Sequence, residues 1–380
     1  MQLPGLIIGG GIAGLTAAIA LQQRGLAVQV CEAAPRILPL GAGIWMAPNA
    51  MQVFDRLGLA GRVNAGGVPL RDIQIVDARL RPLLRTNQER IREQFGFTTT
   101  AIRRAVLQDI LLGELDSQTV LLSREYAGLQ QDEEEVTVRF TDGSSLRGAF
   151  VIAADGIHSP VRGQLFPEVR FRSTGHLVWR GMTPIQLRPA YKQVIMEAWG
   201  RGVRFGFSEI ADGLVDWFAV VAADSIGEDR AQLKARLQRL FAGFAYPIPD
   251  ILAQADESRI IRNEIADFDP ISSWSRGKVC LIGDAAHAST PYMGQGGCQA
   301  VEDAYVLAQC LQREPSAEQA FAAMQQLRWA RATHVQRTSR LLGRVGYLQQ
   351  APGVLRDLIM RSTPGFIIEQ QFRRVYELNY

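Results

Sequence analysis

Blocks of apolar and polar residues at the start of the chain predict a β-strand, a helix and a second strand. An apolar run, Leu6–Ile8, leads into a glycine-rich turn. The next segment, "IAGLTAAIALQQRG", has apolar residues at helical spacing and ends at Gly25, a residue type that commonly follows helices. A second apolar run, "LAVQVC", then leads to Glu32. This order predicts a βαβ unit.

Two later segments repeat the transition from strand to helix. In "GAFVIAADGIHSPVR", which follows a predicted hairpin with its turn at Asp142-Gly143, a strand is followed by Ser159 as helix N-cap and Pro160 as first helical residue. In "KVCLIGDAAHASTPYMGQGG" a strand precedes a glycine-rich turn, and "CQAVEDAYVLAQCL" continues with helical spacing. The chain therefore has three strand–turn–helix motifs.

The middle of the chain has a different pattern. The segments "HLVWRGMTP", "QVIMEAWGRGVRFGFSEI" and "GLVDWFAVV" are rich in β-branched and aromatic residues, which predicts an antiparallel sheet whose aromatic residues are mostly core. Residues 314–348 read as one long helical segment, and the last 30 residues also have a helical pattern.

Composition excludes several classes of protein. The 380 residues are 47% hydrophobic and 21% charged, with a net charge of +3 from scattered basic residues, which argues against a nucleic-acid-binding protein. The four cysteines form no CxxC pair, so we expect reduced thiols in a cytoplasmic protein. We predict no metal site and no integral membrane segment, and leave peripheral membrane association open.

The first glycine turn has the spacing of a dinucleotide site. Gly9, Gly11 and Gly14 form G-x-G-x-x-G, in which the glycines allow a tight turn, approach of a pyrophosphate and close helix packing. Glu32 follows Gly14 by 18 residues, where an acid accepts hydrogen bonds from a ribose. The motif alone fits NAD or FAD, and Glu32 disfavours a 2′-phosphate.

The three motifs, in this order, resemble the class A FAD-dependent aromatic monooxygenases, the para-hydroxybenzoate hydroxylase-like family. The resemblance implies an α/β fold, with an FAD-binding Rossmann-like domain of the GR2 type, an interleaved antiparallel-sheet substrate domain and C-terminal helices. It places the discontinuous FAD-binding domain at residues 1–70, 100–169 and 275–330. The substrate domain then takes residues 71–99 and 170–274, and the C-terminal helical segment takes 331–380.

The resemblance also assigns cofactor contacts, with the loop Pro291–Gly297 against the flavin ring. The residues expected to bind FAD are Gly9, Gly11, Ile12, Ala13, Gly14, Glu32, Ala33, Gly43, Arg104, Asp155, Arg162, Asp284, Pro291, Gly294, Gln295, Gly296 and Gly297. The nicotinamide cofactor is expected to dock near Asp155 and Arg162 without a Rossmann domain of its own. We expect His287 to pack and hold its turn rather than to act as a base.

The reaction implied by the resemblance uses NADPH or NADH to reduce FAD. O2 then forms a C4a-hydroperoxyflavin, which hydroxylates an aromatic or heteroaromatic small molecule. Candidate substrate residues are Arg204, Phe205, Trp217 and Pro291. For Arg204 a solvated position on a strand is the alternative. No catalytic base is assigned, and a homodimer is a possible assembly.

Two other functions remain open at this stage. One is an FAD-dependent reductase that acts on an apolar substrate without oxygen insertion. The other is an FAD-binding sensor without chemistry, which the intact loop "PYMGQGG" argues against. For the monooxygenase, Gly41 and Gly43 predict a flavin ring that shifts between buried and exposed positions, so that substrate controls flavin reduction.

Overall fold

The structure, a computed structural model, describes residues 3–37, 42–223, 232–348, 350–363 and 365–380. The strands are β1 Gly5–Ile8, β2 Val28–Cys31, β3 Gly43–Met46, β4 Gly67–Pro69, β5 Asp72–Asp77, β6 Pro82–Asn87, β7 Thr100–Arg103, β8 Val120–Leu121, β9 Tyr126–Gln131, β10 Val136–Phe140, β11 Ser145–Gly148, β12 Phe150–Ala153, β13 Arg172–Pro184, β14 Val194–Trp199, β15 Arg204–Ala211, β16 Leu214–Ala222, β17 Ile261–Asp267, β18 Ser275–Arg276 and β19 Val279–Leu281. The helices are α1 Ile12–Gln22, α2 Pro48–Arg56, α3 Ala60–Gly66, α4 Gln88–Phe95, α5 Arg104–Leu112, α6 Pro160–Leu165, α7 Leu233–Leu240, α8 Ile248–Gln254, α9 Asp284–His287, α10 Gly296–Arg313, α11 Ala317–Gly346, α12 Gln350–Ser362 and α13 Gly365–Tyr376.

A six-stranded sheet contains the strands of all three predicted motifs. Its order is β18-β19-β12-β1-β2-β8, and every pair is parallel except β18 with β19. Strand β1 is buried along its whole length, as is typical of a parallel sheet covered on both faces. Helix α1 packs against α10, so the first and third motifs meet on one face. The predicted βαβ unit is confirmed.

A seven-stranded sheet forms from the middle of the chain, in the order β17-β13-β16-β15-β14-β5-β6. Its pairs are antiparallel except β14 with β5, which confirms the predicted antiparallel sheet. One face packs under α7 and α8, with Phe205, Trp217 and Phe241 in that core. Because side chains alternate along a strand, Arg204 and Ser208 lie on the opposite face of β15.

Two three-stranded antiparallel sheets complete the strand layers. Strands β9, β10 and β11 form the predicted hairpin region, with Gly143 in the left-handed region at φ 83° in its turn. Strands β3, β7 and β4 form the second small sheet, in that order. Strand β3 lies beside the face of the seven-stranded sheet that carries Arg180, Ser208 and Asp216.

The long helical segment predicted for residues 314–348 is confirmed as the single helix α11, Ala317–Gly346, which begins after Ser316 accepts a hydrogen bond from the Gln319 amide at 3.3 Å. The predicted domain boundary at 330/331 falls inside α11, and Arg328 ties this helix to α10 through Asp303. The domain boundaries stay predictions.

All four cysteines are free and buried, which confirms that they are core residues without disulfides. In the ranges that the structure describes, no helix is long and apolar enough to cross a membrane.

Candidate active site

The first glycine turn is packed as a phosphate site requires. A Cβ at Gly9, where φ is 105°, would lie 2.5 Å from the Ala154 carbonyl oxygen. A Cβ at Gly14 would lie 2.0 Å from the Gly9 carbonyl oxygen. At Gly11 no atom lies within 4 Å of that position, so the turn is closed on one side and open on the other. The open side faces the amino end of α1, whose free N–H groups attract phosphate.

Glu32 is fixed at the end of β2, beside this turn. Its Oε2 accepts a hydrogen bond from the Gly10 amide at 2.7 Å, and its Oε1 accepts one from the Ala34 amide at 2.9 Å. Each carboxylate oxygen keeps a further lone pair. The geometry is therefore suited to accept from ribose hydroxyls, with Ile12 and Ala13 at the start of α1 and exposed Ala33 around it.

The second motif supplies an acceptor without a partner. Asp155 follows β12, and its Oδ2 accepts from the Val161 amide at 3.2 Å. Its Oδ1 is buried and has no hydrogen-bond partner among the described residues, and burial raises the pKa of this carboxyl. Ser159 caps α6 by accepting from the Arg162 amide at 2.8 Å, as predicted. A ligand hydroxyl would satisfy the free Asp155 oxygen.

Arg162 is buried, and its guanidinium is bonded to backbone carbonyl groups. Its side chain is buried, with 4% exposed, and its guanidinium donates to the carbonyl oxygens of Ile157 and Ala285. The same group lies over the Phe268 ring, 4.5 Å from its centre. Docking of the nicotinamide cofactor near Asp155 and Arg162 stays a prediction. Arg162 joins the second motif to α9 and supports the turn that carries Asp284.

Asp284 and Arg104 lie close enough to interact electrostatically at the third motif. Both side chains are exposed to solvent, yet protein surrounds them on most sides. Burial raises the pKa of the Asp284 carboxyl, and His287 and Arg104 oppose this rise. Burial likewise lowers the pKa of Arg104, against the effect of Asp284. Such a partly enclosed pair of charges fits a bound polar ligand.

A buried ionic network holds the third motif from behind. Asp303 on α10 accepts from the Gly283 amide at 2.9 Å, from His287 Nε2 at 2.5 Å and from Arg328 Nε at 2.8 Å. Burial by itself would raise the pKa of Asp303, but His287 and Arg328 outweigh it and lower the pKa to about 2. His287 therefore holds the turn, which confirms its expected structural role.

Sequence reasoning missed the other members of this network. Arg328 also donates to Glu302, and Asn49 donates to Glu302. The acidic pair Glu302-Asp303, inside an otherwise apolar helix, was the available signal, because two buried carboxylates require buried partners.

The predicted flavin-facing loop, Pro291–Gly297, packs directly against β3. Gln295 is the N-cap of α10, and its side-chain oxygen accepts a hydrogen bond from Asn49 Nδ2 at 3.0 Å. The backbone of Gln295 therefore stays on the side of the loop. The Ile44 Cδ1 atom lies 3.0 Å from where a Cβ at Gly297 would be. Trp45 lies 3.5 Å from the equivalent position at Gly294. Pro291 is exposed, and Gly296 begins α10.

On the face of the seven-stranded sheet opposite α7 and α8, Arg204 is enclosed by aromatic rings. Its side chain is 1% exposed, so the alternative of a solvated arginine is wrong. Its guanidinium carbon lies 4.1 Å from the Trp199 ring centre, 4.8 Å from that of Tyr292 and 5.4 Å from that of Tyr347. Tyr292 belongs to the flavin-facing loop, so Arg204 lies next to that loop.

Phe205 and Trp217 do not line this side. Both are fully buried on the opposite face of the sheet, where their rings stack with centres 5.7 Å apart and Phe205 contacts Phe241. Their assignment as substrate residues is therefore wrong. The neighbouring positions Arg204 and Phe218 point toward β3 and the loop instead, and Phe218 contacts Trp45 at 5.9 Å between ring centres.

These observations fit FAD. The turn around Gly11 offers open backbone, Asp155 has an acceptor oxygen without a partner among the described residues, and Asp284 and Arg104 are exposed charged residues at the third motif.

Comparison with known families agrees with this site. Residues 2–338 match the family described as FAD binding domain, and that match covers most of the chain. The chain belongs to this family, within the class A flavin-dependent monooxygenases that hydroxylate aromatic molecules. It is an FAD-dependent monooxygenase that takes its electrons from NAD(P)H.

Individual relatives support the same class. The chain is 36% identical over 370 residues to the aurachin C monooxygenase/isomerase of Stigmatella aurantiaca. The aligned region covers 97% of this chain and 96% of that protein. It is 36% identical over 315 residues to the FAD-dependent urate hydroxylase of Klebsiella pneumoniae, with 80% and 79% covered. The crystal structure of Klebsiella pneumoniae HpxO with FAD and uric acid is 30% identical, with a TM-score of 0.91 over 98% of this chain and 96% of that one. The reductase alternative is not favoured.

Proposed function

We propose that this enzyme hydroxylates a flat aromatic or heteroaromatic molecule that carries a phenolate, carboxylate or carbonyl oxygen, and that Arg204 binds this oxygen. The observation that carries the proposal is a buried guanidinium with unused donors. Arg204 Nη1 has no hydrogen-bond partner among the described residues. Its Nε lies 3.0 Å from Glu197 Oε1 but is not aligned for a hydrogen bond.

A buried donor of this kind is costly unless something accepts from it. An unsatisfied buried donor costs about 1–3 kcal/mol, and more when it is charged. A substrate oxygen placed against Nη1 removes this cost, and the rings of Trp199 and Tyr292 suit a flat molecule beside it. The names of the relatives, which include urate, aminohydroxybenzoate and hydroxybenzoate hydroxylases, support an oxygen-bearing ring.

FAD, when bound, supplies the electron transfer and the oxygen activation. The chain contributes the positions of the groups around it. Asp284 and Arg104 present exposed charges at the third motif, the loop at Gly294 leaves backbone open to the ring, and Arg204 orients the substrate from the sheet side. Position and orientation alone account for a large share of such rate enhancement.

The test begins with a screen of phenols and heteroaromatic oxo compounds for stimulated NAD(P)H oxidation, with the product mass checked for one added oxygen. With an active compound, Arg204→Gln should raise KM about tenfold or more, because a hydrogen bond to a charged group contributes about 1.5–3 kcal/mol. Arg262→Gln is the matched control, since Arg262 is an exposed arginine on the same sheet. An unchanged KM in Arg204→Gln, or an equal rise in both variants, would contradict the role of Arg204.

A further inference from the structure

Strand β3 lies between the substrate sheet and the flavin-facing loop. On the loop side, Ile44 and Trp45 approach Gly297 and Gly294, as described above. On the other side, β3 meets the face of the seven-stranded sheet that carries Arg180, Ser208 and Asp216. Any shift of β3 would therefore change the shape of the site on the side where the flavin ring is expected.

Three side chains of the sheet hold β3 in this place. Asp216 Oδ1 accepts from the Gly43 amide at 2.6 Å. Arg180 Nη2 donates to the Gly43 carbonyl oxygen at 3.0 Å. Ser208 Oγ accepts from Trp45 Nε1 at 3.0 Å. Asp216 on β16 pairs with Ser208 on β15 and with Met182 on β13, the strand that also carries Arg180. The three contacts therefore come from adjacent strands.

The charges of Asp216 and Arg180 are arranged in a way that is unusual for residues that only support the fold. Asp216 is 1% exposed, and its Oδ2 has no hydrogen-bond partner in the described part of the chain. Arg180 Nη2 lies 3.9 Å from that oxygen, and the buried Arg180 Nε has no partner among the residues that the structure describes. A buried carboxylate held so incompletely costs stability, and an apolar residue of similar size would cost less.

We propose that Asp216 and Arg180 are positioning residues for the flavin, which act by fixing both backbone groups of Gly43 and thereby the place of β3 against the flavin-facing loop. Ser208 completes this β3 clamp, defined as Asp216, Arg180 and Ser208. The role follows from the monooxygenase activity itself and is independent of which substrate Arg204 binds. Neither Asp216 nor Arg180 contacts the reacting atoms, because Gly43 and Trp45 lie between the clamp and the loop.

The clamp makes a specific demand on position 216. The carboxylate must present one acceptor oxygen to the Gly43 amide, and asparagine can present the same oxygen without the charge. Asp216→Asn should therefore keep β3 in place, whereas Asp216→Ala should release it. A role through charge alone would predict that both variants behave alike.

The experiment uses the FAD-loaded enzyme without substrate. Hydrogen exchange of the peptide that contains residues 42–47 should accelerate about tenfold in Asp216→Ala, because a hydrogen bond to a charged acceptor is lost. The visible absorption band of the bound flavin should shift in the same variant. Asp216→Asn should restore both to near the wild-type values. Asp267→Asn is the control, because Asp267 is a fully buried, arginine-paired acid of the same sheet that does not contact β3.

Two outcomes would overturn the proposal. One is wild-type exchange and an unshifted flavin band in Asp216→Ala, and the other is an Asp216→Asn protein that matches Asp216→Ala. If Asp216→Ala does not fold, Ser208→Ala decides, because it removes only the Trp45 contact. It should accelerate exchange of the same peptide and shift the flavin band, and no change in either would overturn the clamp. Failure of Arg204→Gln to alter KM would leave these results unaffected.

Discussion

Asp303 offers the sharpest test of how the third motif is held. The replacement Asp303→Asn keeps the shape of the side chain but removes its charge. In the native protein three donors converge on this carboxylate, from Gly283, His287 and Arg328, and the side chains of Asp303 and Arg328 are fully buried. In the variant, the new amide NH2 must face at least one of these donors.

The size of the effect follows from this geometry. Removing one partner from a buried ion pair costs about 3–5 kcal/mol. Arg328 keeps a second carboxylate, Glu302, as a partner, so we expect a loss near the lower end of that range, about 3 kcal/mol in the free energy of unfolding. The Gly283 amide precedes Asp284 directly, so the affinity for FAD should fall as well, by about tenfold.

The assay is urea unfolding of the FAD-free protein together with a fluorescence titration of FAD. Asp72→Asn provides the matched control, because Asp72 is a buried acid on β5 that is paired with Arg85 and does not contact the FAD-binding turns. It should lower stability without a change in the Kd for FAD. The reasoning is refuted if Asp303→Asn binds FAD as tightly as the wild type, or no more weakly than Asp72→Asn.

Three further predictions concern the same site. The pKa of Asp303 is held at about 2 rather than its ordinary 3.8, so its ionised form contributes about 2 kcal/mol of stability above about pH 4. This contribution is lost as the pH falls through 2, and acid-unfolding curves of wild type and Asp303→Asn should converge there; parallel curves would contradict it. Asp284→Ala should weaken FAD binding about tenfold or more, measured by titration, and unchanged affinity would remove Asp284 from the site. Gly43→Val should place a side chain 2.9 Å from the Asp216 carboxyl and slow substrate-stimulated flavin reduction in stopped-flow while FAD stays bound, and equal stimulation in both proteins would argue against control at this strand. Gly41, the other glycine of that expectation, lies outside the described residues.

Much of the FAD site could be predicted because its motifs are local in sequence. The turn from β1 to α1 needs Gly9, Gly11 and Gly14 at neighbouring positions, and Glu32 follows one strand later. The N-cap at Ser159 and the turn at Gly143 are equally short-range, because a cap or a turn involves residues within a few positions of one another. The aromatic monooxygenase class was recognised from three such motifs.

The sheet side of the site required the tertiary structure. Alternation along β15 shows that Arg204 and Phe205 face opposite ways, but it does not show which face α7 and α8 cover. Those helices come later in the chain and cover Phe205 and Trp217, which leaves Arg204 on the face next to Tyr292. The strand pattern was therefore right, while the choice of face depended on packing between distant segments.

The same reason explains other contacts that sequence reasoning did not predict. Arg162 has the sequence setting of a cofactor residue, yet its donors are used on a carbonyl 123 positions away, at Ala285. Asp216 reaches Gly43 across 173 positions. Hydrogen bonds of this range depend on how the two sheets and β3 are brought together. The sequence by itself determined the cofactor class and the local turns that are expected to bind it, and only the tertiary structure decided which buried charges hold those turns and that Arg204 lies beside Tyr292 of the flavin-facing loop.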